Sequence, residues 1–218
     1  MRAELHTHSI FSDGELIPAE LVRTAKTLGA SVIAITDHVD MTNVEHVVRN
    51  VVKAAELTDS SIKVIPGVEI THVTPSKMDK VIADAKRFGA EWIVVHGETV
   101  VEPVENGTNM QAARNPDVDV LAHPGFITEE EMQIAKDNDV LIEITGRKGH
   151  NITNGHVVNI ARIVGAKMVI NSDAHAPEDL MSEKDAYTVA LGAGLSKEEA
   201  DLAIQKTPFD AVRHLCNG

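Results

Sequence analysis

The sequence predicts a parallel α/β fold that closes into a (β/α)7-like barrel. Seven short apolar runs alternate with helical patterns, which is typical of a parallel sheet with right-handed crossovers. Residue types that bind metal ions follow the ends of at least six of these runs. An open sheet concentrates its site at one switch point, whereas a barrel brings every strand end to one mouth. The distribution of these residues therefore favours the barrel over a doubly wound sheet.

The predicted strands and helices are short and regularly spaced. The strands are Arg2–His8, Val32–Asp37, Lys63–Ile70, Trp92–His96, Val118–His123, Val140–Thr145 and Lys167–Ser172. The helical patterns between them are Pro18–Leu28, Val44–Leu57, Ser76–Phe88, Thr128–Asp137 and Asn154–Val164. Pro18 suits a first helical turn, and Gly29, Gly89 and Gly165 suit the position after a last turn.

The C-terminal segment has a helical pattern of its own. Ser196–Leu215 predicts two short helices, with Thr207 as a cap and Pro208 as the first helical residue. No linker rich in Pro, Gly or Ser and no low-complexity stretch marks a domain boundary. We therefore expect residues 1–218 to form a single barrel domain, with about 196–218 as a C-terminal helical extension.

Composition and charge exclude several classes of function. The 218-residue chain has a formal net charge of −13 and is 3% aromatic. Both values argue against binding long nucleic acids, which needs a basic face and, for single strands, aromatic stacking. Cys216 is the only cysteine, so intrachain disulfides and thiolate-rich zinc sites are excluded. With no signal peptide and no apolar run of about 18 residues, we expect a cytoplasmic protein that does not bind membranes.

Two pairs of metal-binding residue types stand at opposite ends of the chain. His6-Thr7-His8 ends the first apolar run, and Asp173-Ala174-His175 follows the last. Residues two apart on a strand point to the same face, so each pair presents two ligands to one pocket. The candidate ligands, which suit Zn²⁺, Mn²⁺ or Fe²⁺, are His6, His8, Asp13, His38, Glu69, His96, His123, Asp173 and His175.

Each of these residues has an ordinary structural explanation when it is taken alone. A single His at a strand end is more often a hydrogen-bonded loop residue, Asp13 suits a turn, and Asp173 could cap the following helix. Burying all nine polar groups at one mouth would be costly without counter-charges, and divalent ions would compensate the three carboxylates. The set as a whole therefore favours a metal site.

The motifs resemble those of the PHP (polymerase and histidinol phosphatase) superfamily. In order along about residues 2–200, they are His6-Thr7-His8-Ser9, Phe11-Ser12-Asp13-Gly14, Thr36-Asp37-His38, Pro66-Gly67-Val68-Glu69, Val95-His96, Ala122-His123-Pro124 and Ser172-Asp173-Ala174-His175. The resemblance implies a distorted (β/α)7 TIM-like barrel with a trinuclear metal centre that hydrolyses phosphoesters. The implied substrate is a small phosphomonoester similar to histidinol phosphate.

The resemblance also implies three ligand sets. The first is His6, His8, Glu69 and Asp173; the second is Glu69, His96 and His123, with Glu69 as the bridge; the third is Asp13, His38 and His175. Some family members have His where this chain has Asp13, so the metal preference of the third set is open. We expect metal-activated water to attack phosphorus. The expected catalytic residues are Glu69, Asp173, His175 and His38, with His175 or His38 assisting proton transfer.

Other polar residues flank the expected site. Asp37 could hold the free ring nitrogen of a ligand or be a separately bonded buried carboxylate. Arg147 and Lys148 lie in a basic, glycine-flanked loop on the catalytic side, so we expect them to bind the substrate's phosphate or carboxylate, a solvated turn being the alternative. His72 and His156 could line a pocket, but ordinary loop or helix-cap positions are favoured for both.

Three classes of function fit these observations. The sequence favours a metal-dependent phosphatase acting on a small phosphorylated metabolite with about three divalent ions. A nucleotide or oligonucleotide phosphoesterase, such as an exonuclease, is the first alternative. A non-catalytic binding subunit with a degenerate barrel ranks last, because it predicts lost ligands and a basic face.

Overall fold

Eight parallel strands form one sheet in the computed structural model, which describes residues 2–56 and 61–216. They are β1 (Arg2–Glu4), β2 (Ala30–Ile35), β3 (His38–Val39), β4 (Lys63–Ile70), β5 (Trp92–His96), β6 (Val120–Ala122), β7 (Leu141–Thr145) and β8 (Met168–Asn171). Their order is β1-β2-β4-β5-β6-β7-β8. The two residues of β3 pair with β4 beyond the end of β2, so β2 and β3 act as one interrupted strand. The predicted seven-strand architecture is confirmed.

The first and last strands meet at a seam that nearly closes the barrel. One backbone bridge joins Thr7 to Ala174, and the His8 amide donates to the Ala174 carbonyl at 2.8 Å. Below it, the Glu4 carboxylate accepts from the Ser172 amide at 3.0 Å. Side chains therefore complete the closure where the strand ladder stops.

Arg2 ties this seam to the chain that follows β8. Its Nη1 lies 2.6 Å from Glu4 Oε2 and donates to the Met181 carbonyl at 2.9 Å. Arg2 and Glu4 are both buried. Because Arg2 Nη2 also donates to the Ile170 carbonyl of β8 at 3.5 Å, the buried pair joins β1 to β8 from the outer side of the barrel.

Alternation along the strands separates two apolar clusters. Alternate residues such as Val32, Ala34 and Val94 pack inside the barrel, whereas their neighbours, such as Ile33 and Ile35, pack against the helices. The same period places Glu69, His96, Glu143 and Asn171 on the inner face near the C-terminal ends of β4, β5, β7 and β8. The strand pattern thus delivers polar groups to one mouth.

Ten α-helices surround the sheet within the described residues. They are α1 (Pro18–Thr27), α2 (Val44–Glu56), α3 (Pro75–Phe88), α4 (Thr108–Arg114), α5 (Glu129–Asp137), α6 (Asn154–Val164), α7 (Glu183–Gly192), α8 (Lys197–Asp201), α9 (Thr207–Ala211) and α10 (Arg213–Cys216). The five predicted helices are confirmed to within one or two residues, except that Leu57 of the second lies outside the described residues. α4 and α7 are not among the predicted helices. Across 2–56 and 61–216, no helix has the length and apolar character needed to span a membrane.

The C-terminal segment differs from the two predicted helices. Ser196, which accepts from the Glu199 amide, caps α8, and a π-helical turn at Leu202–Lys206 leads into α9. Thr207 is the first residue of α9, and the N-cap position before it is occupied by Lys206, so Thr207 is not a cap. Val212 is buried among barrel-interior residues that include Trp92 and Leu141, and Phe209 and Leu215 pack against them. The extension thus covers the N-terminal end of the barrel.

Asp119, at that same end, predicts a pH-dependent stability. Its carboxylate accepts from the Ile93 amide at 2.7 Å, and burial raises the pKa of Asp119 to about 6. The folded state therefore holds this proton more tightly than the unfolded chain, where the pKa of Asp is about 3.9. The resulting stability is complete below about pH 4 and is lost as the pH rises through about 6.

Asp119→Asn keeps the acceptor oxygen and removes the charge. We expect it to raise the free energy of unfolding at pH 7 by about 1–2 kcal/mol, allowing for partial solvent screening, and to change it little at pH 4. Urea denaturation of both proteins at the two pH values measures the difference. An equal effect at both would show that the hydrogen bond, not the charge, dominates.

Candidate metal centre

All nine predicted ligand side chains lie at the C-terminal mouth of the barrel. They occur in overlapping groups whose nitrogen and oxygen atoms lie within 4.8 Å of one another. The groups are His6, His8 and Glu69; Glu69, His96 and His123; His6, His123 and Asp173; and His8, Asp13, His38 and His175. The structure thus brings together residues separated by up to 169 positions in the chain, from His6 to His175.

The loop after β1 aims both of its histidines into the mouth. Leu5 packs in the barrel interior, yet its neighbour His6 also faces inward, so the side-chain alternation changes after Leu5. Thr7 fixes this segment, because its hydroxyl donates to the Ala34 carbonyl at 2.7 Å and its amide donates to the Thr36 hydroxyl at 3.1 Å. His6 and His8 can therefore both reach Glu69.

The spacing between the donor atoms fits tetrahedral coordination. An ion with bonds of about 2.0–2.2 Å separates its ligand atoms by about 3.3–3.6 Å. His6 Nε2 lies 3.3 Å from Glu69 Oε2, and His123 Nε2 lies 3.4 Å from Glu69 Oε1. His38 Nε2 and His175 Nε2 are 3.4 Å apart and lie 3.4 and 3.3 Å from Asp13 Oδ1. These contacts have the lengths expected of coordination edges.

Several buried donor atoms make no hydrogen bond within the described residues. They include His6 Nε2, both ring nitrogens of His8, both Glu69 oxygens and Asp173 Oδ1. Buried polar atoms normally have a partner, because leaving one unpaired costs about 1–3 kcal/mol. The atoms that converge on one another are thus the ones that lack protein partners, and divalent ions fit them.

The carboxylates and histidines of the mouth shift one another's pKa. Burial lowers the pKa of His6, but Glu143, Glu69 and Asp173 outweigh it and hold this pKa well above its usual value. For His38, Glu69 and Asp13 likewise outweigh burial and raise the pKa to about 9. Burial would raise the pKa of Glu69, yet His6 and His38 hold it well below its ordinary value. Shifts this strong are typical of functional sites.

Glu143 supports the first ligand group and was missed by the sequence analysis. Its Oε1 lies 2.8 Å from His6 Nδ1 and accepts from Asn171 Nδ2 at 3.0 Å. A carboxylate on the second ring nitrogen fixes the tautomer and orientation of a ligand histidine. The alternating pattern of Leu141–Thr145 places Glu143 inward, which was the available signal.

Glu143→Gln is expected to lower the metal affinity of the first group by about 10- to 100-fold, because it removes the charge that orients His6. Equilibrium dialysis against Zn²⁺ measures the loss. The matched control is Glu129→Gln, at an exposed position in the first turn of α5. Unchanged zinc affinity in Glu143→Gln would contradict this role.

Asp37 does not hold the His38 ring. Its carboxylate accepts from the Ser9 amide and hydroxyl and from the Ser12 hydroxyl at 2.7–2.8 Å. His38 Nδ1 instead faces Thr71 Oγ1 at 2.7 Å and Glu69 Oε2 at 2.9 Å. Of the two alternatives for Asp37, the structure shows the separately bonded buried carboxylate, because adjacent residues of an extended chain point to opposite sides. Asp37 orders the loop that presents Asp13.

A cavity of about 370 Å³ opens above the ligand groups. Arg147 lines it and pairs through Nη1 with Asp179 Oδ2 at 3.0 Å. Asp179 Oδ2 also accepts from the His175 and Ala176 amides, so the pair joins Arg147 to the loop that carries His175. Lys148 is exposed and lies outside the residues that line the cavity.

Three further residues line the cavity, although the sequence analysis did not select them as site residues. Glu102 Oε2 lies 3.1 Å from His96 Nε2 and 3.2 Å from His72 Nε2, and Glu102 Oε1 lies 3.3 Å from His150 Nε2. The hydrogen bond with His96 is the main reason that the pKa of Glu102 falls to about 2. His72 lies in the loop after β4 and lines the cavity, the less favoured of the two positions expected for it. For His156, whose Nε2 faces the Ile127 carbonyl at 2.8 Å, the structure gives an ordinary loop contact.

Strained backbone is concentrated at the same mouth. Among the described non-glycine residues, positive φ angles occur at His72 (52°), His123 (29°), Asp139 (59°) and Asp173 (53°). Such conformations cost about 1–3 kcal/mol each and persist where surrounding structure enforces them. Three of the four residues line the cavity.

Comparisons with known proteins agree with this geometry. The model of the PHP domain matches residues 4–95. The chain belongs to the PHP family. Its match contains the first five predicted ligands, from His6 to Glu69.

PHP relatives of this chain carry different descriptions. An uncharacterized protein of Methanocaldococcus jannaschii is 50% identical over 99% of this chain and 100% of its own length. The ribonuclease P protein component 3 of Methanosarcina barkeri is 28% identical over 90% of this chain and 82% of its own length. A probable phosphatase of a Thermoanaerobacter species is 26% identical over 89% of this chain and 87% of its own length.

Two solved structures share the barrel fold of this chain. The histidinol phosphate phosphatase of Lactococcus lactis, in complex with zinc, L-histidinol and phosphate, aligns with a TM-score of 0.62 at 15% identity and covers 89% of this chain and 94% of its own. An archaeal ribonuclease P with mature tRNA contains a chain that aligns with a TM-score of 0.67 at 16% identity and covers 98% and 90%. At these identities the likeness shows the fold alone.

Proposed function

We propose that this protein is a metal-dependent phosphoesterase that hydrolyses a small phosphomonoester. The observation that carries the proposal is the convergence of nine donor side chains, with coordination-like spacing, under one cavity. The PHP family and the phosphatase relatives support the reaction class.

The proposed ligand sets are those that the family resemblance implies, and they overlap the groups of converging donor atoms without matching each of them. His6, His8, Glu69 and Asp173 would hold one ion, Glu69, His96 and His123 a second, and Asp13, His38 and His175 a third. Zn²⁺, Mn²⁺ and Fe²⁺ all suit these nitrogen and oxygen donors. Such ions, when bound, lower the pKa of water and offset the charge of phosphate oxygens.

The protein's own residues orient and enclose the reacting groups. Glu69 directs Oε2 to the group that contains His6 and Oε1 to the group that contains His123, so one side chain fixes the distance between the two groups. Glu143 fixes the orientation of the His6 ring. His38 and His175 lie on the open side of the site, with side chains 24% and 12% exposed, whereas His6 and His8 are sealed. Whichever of His38 and His175 does not bind an ion would therefore exchange protons with the substrate, and the deeper histidines would only position.

The cavity favours a compact, anionic substrate. At about 370 Å³ it lies at the lower end of the range for small-molecule sites. Arg147, held by Asp179, is the one arginine or lysine among the described residues that line it, so it would bind the phosphate or a carboxylate of the substrate. We do not retain Lys148 in this role, since it lies outside the lining.

Arg147→Ala is expected to raise KM about 10-fold or more while changing kcat less, because it removes one charge-assisted hydrogen bond of about 1.5–3 kcal/mol. Steady-state kinetics with the best substrate measures the effect. Lys148→Ala is the matched control and should leave KM unchanged. A kcat loss without a KM change in Arg147→Ala would assign Arg147 to the chemistry instead of binding.

Relatives described as ribonuclease P component 3 support a second candidate, a subunit that binds RNA. The net charge of −13 and the complete ligand groups weigh against it. A nucleotide phosphoesterase stays compatible with the cavity size.

A substrate panel tests these candidates. The protein is incubated with Mn²⁺ or Zn²⁺ and with sugar, amino-alcohol and nucleoside monophosphates, short oligonucleotides and tRNA, and phosphate release, strand cleavage and RNA binding are followed. Release of phosphate from small monoesters supports the proposal. Cleavage of oligonucleotides alone supports the nucleotide alternative, and tRNA binding without hydrolysis supports the subunit.

A further inference from the structure

Glu102 joins three histidines at the outer wall of the cavity. His72 Nε2 and His96 Nε2 lie 3.2 and 3.1 Å from the same oxygen, Glu102 Oε2. The donor atoms of these three residues lie within 4.8 Å of one another, as in the inner groups. The spacing is close to the edge of about 3.3–3.6 Å that a tetrahedral ion with 2.0–2.2 Å bonds produces.

The loop after β5 is built to present Glu102. Glu98 Oε1 accepts from the Gly107 and Asn109 amides, both at 2.9 Å, and closes residues 98–109 into a loop. Asn109 secures it, since its Oδ1 accepts from the Glu98 amide at 2.9 Å and its Nδ2 donates to the Pro124 carbonyl at 2.8 Å. Glu102 is thus held at a fixed place and does not hang from a free loop.

His72 reaches the cluster at a cost in backbone energy. Its φ of 52° is left-handed, a conformation that asparagine or glycine would adopt more easily. His123 and Asp173, two of the proposed ligands, have the same kind of backbone. Strain at His72 is therefore a second observation, independent of the distances, that points to a ligand at this cluster.

His96 belongs to this outer cluster and to the inner group with Glu69 and His123. Its Nδ1 faces the Gly97 carbonyl at 3.2 Å, so Nε2 is its one nitrogen available to an ion. One ion at a time can therefore use His96, in either the inner or the outer position. The inner side chains are at most 3% exposed, whereas those of Glu102 and His72 are 38% and 42% exposed.

We propose that His72, His96 and Glu102 form an outer cation position through which a first-row divalent ion reaches the buried group of Glu69, His96 and His123. The proposal rests on the proposed function only in assuming that the inner group binds metal. Glu102 and His72 capture the ion at the cavity wall, and the His96 ring stays bound while Glu69 and His123 replace them. His150, 3.3 Å from Glu102 Oε1, holds the carboxylate in place.

Zinc uptake by the metal-free protein tests this route. Protein stripped with a chelator is mixed with Zn²⁺, quenched at set times by passage over a desalting column, and analysed for zinc. Glu102→Gln and His72→Ala are expected to fill one equivalent at least about 10-fold more slowly than wild type and to reach the same final content. The matched controls, Glu105→Gln and His46→Ala at exposed positions, should load at the wild-type rate.

A second measurement locates the ion directly. In crystals of His123→Ala soaked in Zn²⁺, an anomalous difference peak is expected between His72 Nε2, His96 Nε2 and Glu102, because the inner position has lost a ligand. A peak retained at Glu69 and His96 with none at His72 would overturn the proposal.

The outcomes separate this proposal from the proposed function. Wild-type loading rates in both variants overturn the outer position and leave the enzyme function intact. Loss of one zinc equivalent at equilibrium in Glu102→Gln would make Glu102 a permanent inner ligand and likewise overturn it. A wild-type protein that binds no zinc would overturn both.

Discussion

Glu69→Gln is expected to abolish phosphoester hydrolysis and to lower the bound metal content. Glu69 is fully buried, and its two oxygens face His6, His8 and His38 on one side and His123 on the other. A glutamine keeps the size of the side chain but has no charge and only one acceptor oxygen. Loss of several kcal/mol of metal-dependent stabilisation corresponds to at least about a 1,000-fold fall in kcat.

Elemental analysis and steady-state kinetics on the same preparation check this result. Glu130→Gln, an exposed change of the same type in the first turn of α5, is the matched control and should retain both activity and metal. Full turnover by Glu69→Gln, or by wild-type protein shown to be free of metal, would rule out the proposed mechanism.

Arg2→Met is expected to cost about 3–5 kcal/mol of folding free energy, the largest stability effect predicted for this chain. The substitution leaves Glu4 buried with no compensating charge and removes the bond to the Met181 carbonyl. Urea denaturation followed by circular dichroism measures the loss. Because Glu4 also accepts from the Ser172 amide, next to Asp173, metal affinity should fall with stability.

The double variant Arg2→Met with Glu4→Gln separates the effect of the unpaired charge on stability from the effect of lost packing. Removing both charges of a buried pair is much less costly than removing one, so the double variant should recover more than half of the lost stability. If it is as unstable as Arg2→Met alone, the loss comes from packing and from the hydrogen bond to Met181, and the role assigned to the ion pair is wrong.

The barrel and its candidate ligands could be predicted because both produce local patterns in the sequence. Strand periodicity places Glu69 and His96 on the inner face, and the i, i+2 spacing pairs His6 with His8, so a short window of residues suffices for each. Helix starts could be predicted where the signal is local, as at Pro18, which is the first residue of α1.

What the sequence did not reveal depends on contacts between distant segments. Glu102 lies in a loop with no strand pattern, and only the fold places it beside His72, His96 and His150. By sequence, Arg2 is a charged residue near the start of the first strand. In the fold it is buried at the seam, where it donates to the Met181 carbonyl. The continuous run from α8 to α10 was read as two helices, because a π-helical turn has no recognised sequence signal.

The left-handed backbone at His72, His123 and Asp173 has a consequence for the stability of the fold. Each of these residues lowers the stability of the fold by about 1–3 kcal/mol and would relax if it became glycine. A barrel that needed no fixed geometry at its mouth would be more stable with glycine at all three positions. The geometry of this mouth is therefore maintained at the expense of folding stability.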